Sequence, residues 1–257
     1  MAFDADLTAC AALVQRADPE RFRATMAAPV AARRVLFPLY AMNVEVARAP
    51  WVTAEPLIAQ MRLQWWRDAL GEIASGGRVR RHEVVTPLAA VLSADQAHVL
   101  DELVSARAWD IYNECFSGEA ALLAHIGKVS GVLMQVAASA LGPADDGVTH
   151  AVGMAAGIAG WLRAVADLVA YGRQPLPDTS EEAIRALARR GLGYLHYARS
   201  RRDRVSPQAG PALLSGWRAG AVLARAEAEP WRVLAGRLAR PDGGGLALAL
   251  RAATGRW

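Results

Sequence analysis

The sequence is poor in the residues from which metal centres and disulfides are built. Only two of its 257 residues are cysteines, Cys10 and Cys115. They lie far apart, in no CxxC or His/Cys cluster, which argues against a zinc site and fits reduced, packed thiols. The five histidines (His82, His98, His125, His150 and His196) sit at no metal spacing from one another and pair with no Ser or Cys nucleophile. GxSxG, P-loop and dinucleotide fingerprints are absent. Apolar runs are interrupted by Arg, Gly or polar residues well short of the roughly 20 that span a bilayer, so no transmembrane helix is expected. Lysine is nearly missing: Lys128 stands alone, and the net charge of +4 rests on arginine. Those arginines are scattered without a recognition motif, so nucleic acid is not expected. An anionic membrane face or phosphate groups suit a basic surface better. The opening residues carry Asp4 and Asp6 before any basic residue, unlike a secretory or transit peptide. The expected compartment is a bacterial cytoplasm, peripheral to the inner membrane if the basic surface is used.

What the chain has in abundance is helical periodicity. Hydrophobic residues make up 53% and charged residues 21%, and apolar positions recur at helical spacing with no clear alternating run. Asp18-Pro19 predicts a capped helix start before "ERFRATMAA". Pro29 opens the next helix, Pro50 closes it, and the internal Pro38 should kink or split it. Thr53 caps "AEPLIAQMRLQWWRDALGEIA", which ends at Ser75-Gly76-Gly77. A short helix near 87–93, a long one from Ser93 or Asp95 to Phe116, and others over 119–141 and 147–171 follow. Gly153, Gly157 and Gly160 in the last of these allow close helix approach. Helices over 181–203, 207–225 and 226–239 come next, and a tail helix follows the break at 241–245. The expectation is a single all-α domain over 1–257, with about ten helices.

Several stretches, in order, resemble the squalene/phytoene synthase family, which joins prenyl diphosphates. "RFRATMAAPVAARRVLFPLYAMN" resembles its opening, with Tyr40-Ala41. "LLAHIGKVSGVLMQVAASALG" is similar to its cavity helix, and "GWLRAVADLVAYGRQPLP" to its second signature, keeping Leu162-Arg163, Gly172-Arg173 and Leu176-Pro177. The resemblance covers roughly residues 20–180. It implies the isoprenoid synthase fold around a central cavity, with Tyr40, Asn43, Arg163 and Arg173 as ligand- or anion-binding candidates. It also implies Mg²⁺ held by two aspartate-rich motifs on facing helices. Aspartates four apart share one helix face and reach one metal cluster.

Those aspartates are missing. The first motif's positions hold Ala47 and Trp51, the second's Ala164 and Leu168, and no two aspartates stand four apart anywhere in the chain. The expectation is therefore no catalytic residue and no metal. The alternative is an Mg²⁺-dependent prenyltransferase using Glu45 and Asp167, which lie within a turn of the lost positions. Asp167 has Arg163 four residues before it, a spacing that gives a modest helix ion pair. Asp68/Glu72 and Asp110/Glu114 have the spacing of metal ligands and also of solvated surface pairs. Trp51 and Trp161, in or beside the degraded motifs, are expected to fill the cavity.

"NVEVA", "MRLQWWRDAL" and "WLRAV" resemble a narrower branch that contains the mitochondrial complex I assembly factor. That likeness implies an adaptor for a membrane complex, acting without covalent chemistry. Within "MRLQWWRDAL", one tryptophan is expected in the core and the other partly covered. Arg62, Trp65, Trp66 and Arg67 form a candidate partner patch. A metal-free binder of a prenyl diphosphate or prenyl lipid is the third reading.

Overall fold

The computed structural model describes residues 4–53, 55–112, 114–238 and 244–257. Among them there is no strand, only an isolated bridge between Ala144 and Val205. The helices run α1 Ala5–Ala17, α2 Pro19–Ala27, α3 Val30–Arg48, α4 Pro56–Ala74, α5 Val85–Ala89, α6 Ala94–Ala106 and α7 Glu119–Ile126. They continue as α8 Val132–Ser139, α9 Asp146–Ala170, α10 Glu181–Arg199, α11 Gly210–Leu213, α12 Ala219–Ala228, α13 Trp231–Leu234 and α14 Gly245–Thr254. The expected all-α architecture is present.

Local chemistry explains most of the boundaries. The Asp18 carboxylate accepts the Arg21 amide at 3.0 Å, with Pro19 in the first turn of α2, so the orphan amides of that turn are satisfied. Ser93 and Gln96 form a reciprocal capping box on α6. Gly76 and Gly172 end α4 and α9 at φ +66° and +75°, a backbone region where a Cβ is strained.

Four expectations need correction. Pro38 does not divide its helix. It lies inside continuous α3, where burial of Leu36, Phe37, Leu39, Tyr40 and Met42, at about 1.5–3 kcal/mol each, outweighs a proline penalty of about 3 kcal/mol. Helix α4 starts at Pro56, and the Thr53 hydroxyl accepts the Glu55 amide at 3.1 Å. The helix expected from 95 to 116 stops at Ala106. A tighter turn, Arg107–Asp110, then redirects the chain so that Trp109 stacks on Phe116 with ring centroids 4.2 Å apart. The helix expected over 207–225 is broken into α11, a turn at Leu214–Gly216, and α12. Part of the last break (239–243) and the end of the helix expected over 226–239 lie outside the described residues.

The core is in two parts. One gathers α1, α3, α4, α6 and α8, and the other α7, α9, α10 and α12. The inner wall is made by α9 lying against the segment α7–Gly127–Gly131–α8, whose middle is a π-turn. A Cβ on Gly153 would stand 2.6 Å from the Ser130 carbonyl oxygen, and one on Gly157 2.6 Å from Ile126 Cγ2. Glycine is what lets these backbones approach. By length and composition, Glu119–Ser139 and Asp146–Ala170 are both apolar enough to cross a membrane, contrary to the reading from apolar runs. In this bundle they pack on each other and wall a cavity.

Candidate functional site

Between the two parts of the core lies a cavity of about 700 Å³, within the range of about 300–1,000 Å³ of pockets that enclose small ligands. The expectation that tryptophans fill it is corrected: Trp51 and Trp161 stand in its wall. The Trp161 indole is held back by donating to the Pro175 carbonyl at 2.9 Å, and it packs against Trp109, Phe116 and His125. Burial among these rings pushes His125 down to about 4, so it is neutral at pH 7.

All four positions that the resemblance assigns to the missing aspartates line this space. Ala47 and Trp51 contribute from α3 and the turn after it, and Ala164 and Leu168 from α9. None can ligate a metal. Among the described residues no three His, Cys, Asp or Glu side chains form a group that would hold one. A hard cation needs several oxygen ligands at once, so this donor set does not fit Mg²⁺.

The same lining also carries charges that are paired among themselves. Glu20, at the start of α2, takes Arg163 of α9 at 2.8 Å on one oxygen and Arg218 at 3.5 Å on the other. Arg21 pairs with Asp18 at 3.3 Å, and Arg107 with Asp110 at 3.2 Å. The ion pair expected between Arg163 and Asp167 does not form, because Glu20 offers Arg163 a more enclosed partner. Asp167 stands exposed on the wall, in no salt bridge among the described residues. Asp110, read as half of a surface pair, is instead buried.

Of the ligand-binding and alternative catalytic candidates named from sequence, Tyr40, Arg163 and Asp167 line the cavity. The Tyr40 hydroxyl donates to the Ala212 carbonyl at 3.4 Å, and burial raises its pKa. The described lining does not include Asn43, Arg173 or Glu45. Asn43 is buried within α3. Arg173 lies over the Trp51 ring and donates to the Asp110 carbonyl at 2.9 Å. Glu45 is engaged by Arg48 at 3.1 Å. The chosen alternative acids therefore do not meet. Sequence reasoning missed Glu20, Arg21, Arg107 and Arg218, and named Asp110 only as half of a pair with Glu114. The available signal was position alone, since Glu20 directly precedes the family-like opening at Arg21.

In "MRLQWWRDAL" one tryptophan is core and the other partly covered, as expected, which leaves little of the proposed patch open. Trp66 is core, 5% exposed, and Trp65 is half-covered beneath the Arg80 guanidinium, 4.8 Å from its ring. Arg67 is held by Asp101 through bonds of 2.8 and 3.0 Å, while Arg62 is exposed. The exposed apolar surface lies a turn or two earlier, where Leu57 and Met61 are 66% and 63% exposed, with Ile58, Val52 and Trp51 beside them. Tyr171, 5.8 Å from the Trp51 ring, and Tyr112, bonded to Gln60, extend it. Trp51 belongs both to this strip and to the cavity wall, so the strip lies at the cavity's rim.

Comparison with known proteins agrees with this architecture. A crystal structure of a dehydrosqualene synthase in complex with ligand superposes with a TM-score of 0.79 at 12% identity, over 97% of this chain and 95% of that one. That of squalene synthase HpnC from Alicyclobacillus acidocaldarius gives 0.72 at 14% identity, over 88% and 94%. At such identities the likeness is one of fold. A Drosophila melanogaster homolog of NADH dehydrogenase (ubiquinone) complex I assembly factor 6 is 42% identical over 62 residues, 24% of this chain and 19% of that protein's length. Residues 14–242 match the squalene/phytoene synthase family as a whole, and the chain belongs to that family.

Proposed function

We propose that this protein is a catalytically silent squalene/phytoene synthase family member that acts as an adaptor or assembly factor for a membrane-associated complex. The observation that carries the silent half is the cavity wall itself: Ala47, Trp51, Ala164 and Leu168 occupy the places from which Mg²⁺ would be held. Ionising an allylic diphosphate requires its leaving charge to be neutralised, work that a metal does as Lewis acid and template. Here the arginines available to neutralise it are already paired with carboxylates. An active enzyme built on Glu45 and Asp167 gains no support from a geometry that keeps Glu45 out of the described lining.

The adaptor half is supported by the short likeness to a complex I assembly factor homolog and by the exposed strip at the rim. Respiratory complex I is accordingly the candidate partner, met at the inner face of the membrane. The test is a pull-down from solubilised membranes with wild type and with the Leu57→Asp/Met61→Asp double variant. The reading expects a membrane-complex subunit to co-purify with wild type and to be lost from the variant at unchanged thermal stability. Retention in the variant would remove the strip from the account.

The open cavity favours a second reading, compatible with the first, in which a prenyl lipid is held without metal.

A further inference from the structure

We infer that the cavity takes an uncharged isoprenoid, a prenyl chain ending in a hydroxyl or carbonyl head, and rejects prenyl diphosphates. This rests on the metal-free reading above and specifies the ligand of that same site.

The inference comes from counting charge where a diphosphate would have to sit. The described lining carries four arginines and four carboxylates, so the space has no net positive charge to offer an anion. The pairing is also specific. Glu20 bridges Arg163 and Arg218, which come from separate helical segments, and the Glu20 and Arg218 side chains are 16% and 8% exposed. A diphosphate reaching either guanidinium would displace Glu20 and leave a poorly solvated carboxylate facing a multiply charged anion. Low-dielectric surroundings make that repulsion severe, and the arrangement selects against anionic heads by an unfavourable contact as well as by a missing attraction. Asp167, the fourth of these carboxylates, is exposed on the same wall and stands in no salt bridge among the described residues.

A neutral head meets none of this. Ser130 and Ser215 line the space beside the apolar wall of Val129, Leu133 and Met134, and the Ser215 hydroxyl, which donates to the Ala212 carbonyl at 2.9 Å, keeps its oxygen to accept from a ligand hydroxyl. A hydroxyl or carbonyl can therefore find a hydrogen-bond partner while its chain lies on aliphatic surface. The shared chemistry fits a prenyl alcohol or the tail and head of a prenylated quinone.

The test is calorimetric titration of the purified protein in EDTA with farnesol, farnesyl diphosphate and a short-chain prenylquinone, which separates the two sources of a neutral head. Wild type is expected to bind at least one neutral ligand at least about tenfold more tightly than farnesyl diphosphate. Glu20→Gln unties two arginines and removes one negative charge. It should tighten farnesyl diphosphate about tenfold or more and leave the neutral ligand within about twofold. Should that variant fail to fold, Asp167→Asn, on an exposed side chain, is expected to shift the same preference in the same direction by a smaller factor. The inference is overturned if wild type prefers the diphosphate, if no neutral ligand binds, or if neither variant changes the preference. Each of these is distinct from failure of the silent reading, which would appear as diphosphate release dependent on Mg²⁺.

Discussion

The two halves of α9 have been put to opposite uses. Its first half is locked against the π-turn, where Gly153 has backbone atoms within 2.7 Å of any added Cβ. Its second half borders the cavity, where a Cβ on Gly160 would meet nothing within 4 Å and where Ala164 and Leu168 stand in the places of metal ligands. The packed half keeps the shape of the family fold, while on the proposed reading the open half no longer holds a metal. On that reading a fold and its chemistry separate along a single helix, because close packing constrains volume whereas a cavity wall constrains only what it must bind.

The sharpest way to break this contrast is to fill the packed half. Gly153→Val drives a branched side chain into the Ser130 carbonyl and the Gly131 backbone. Overpacking at this site should cost about 3 kcal/mol or more, read as a fall in the denaturation midpoint. If the variant is as stable as wild type, the tight helix approach is not what holds the wall.

Next in size is acid. His125 is depressed from 6.5 to about 4 by burial, so the unfolded chain takes up a proton that the native protein resists. Stability attributable to this group is full above pH 6.5 and is lost as pH falls toward 4, by at most about 3 kcal/mol. Denaturation midpoints across that window should show the loss, and His125→Phe should remove this component. A pH profile unchanged by His125→Phe would contradict the buried, neutral assignment.

Smaller still, Gly160→Ala should raise stability by about 0.5–1 kcal/mol through helix propensity alone. A large loss there would mean that the second half is packed after all. Smallest in stability but most pointed chemically is Ala164→Asp/Leu168→Asp, which returns two carboxylates to one face of the open half. It should leave the midpoint within about 1 kcal/mol in metal-free buffer and gain a calorimetric Mg²⁺ signal that wild type lacks.

Much of this architecture was legible in the sequence because it is written locally. Asp18-Pro19, Ser93 with Gln96, Gly76 and Gly172 act within a few residues of themselves, so their helix boundaries could be read directly. The replaced ligand positions were legible by likeness, and all four do face the cavity. The charged end was not legible. Glu20 meets Arg163 across 143 residues of chain, whereas Asp167, four residues away, offers the pairing that local rules favour. Nor did periodicity reveal that the sequence would turn at Arg107, since what stops α6 there is accompanied by Trp109 finding Phe116. Exposure was legible in part. One core and one partly covered tryptophan were expected and are found in Trp66 and Trp65, but nothing local showed that Leu57 and Met61 would stand uncovered.

The central claim is that this cavity has kept its form and lost its metal chemistry. The most direct measurement is incubation of the purified protein with farnesyl and geranylgeranyl diphosphate, with and without Mg²⁺, assaying inorganic diphosphate and prenyl products together. The account predicts no release of diphosphate above the protein-free control and no difference on adding Mg²⁺. Mg²⁺-dependent release that disappears in Asp167→Ala would contradict it and establish an enzyme.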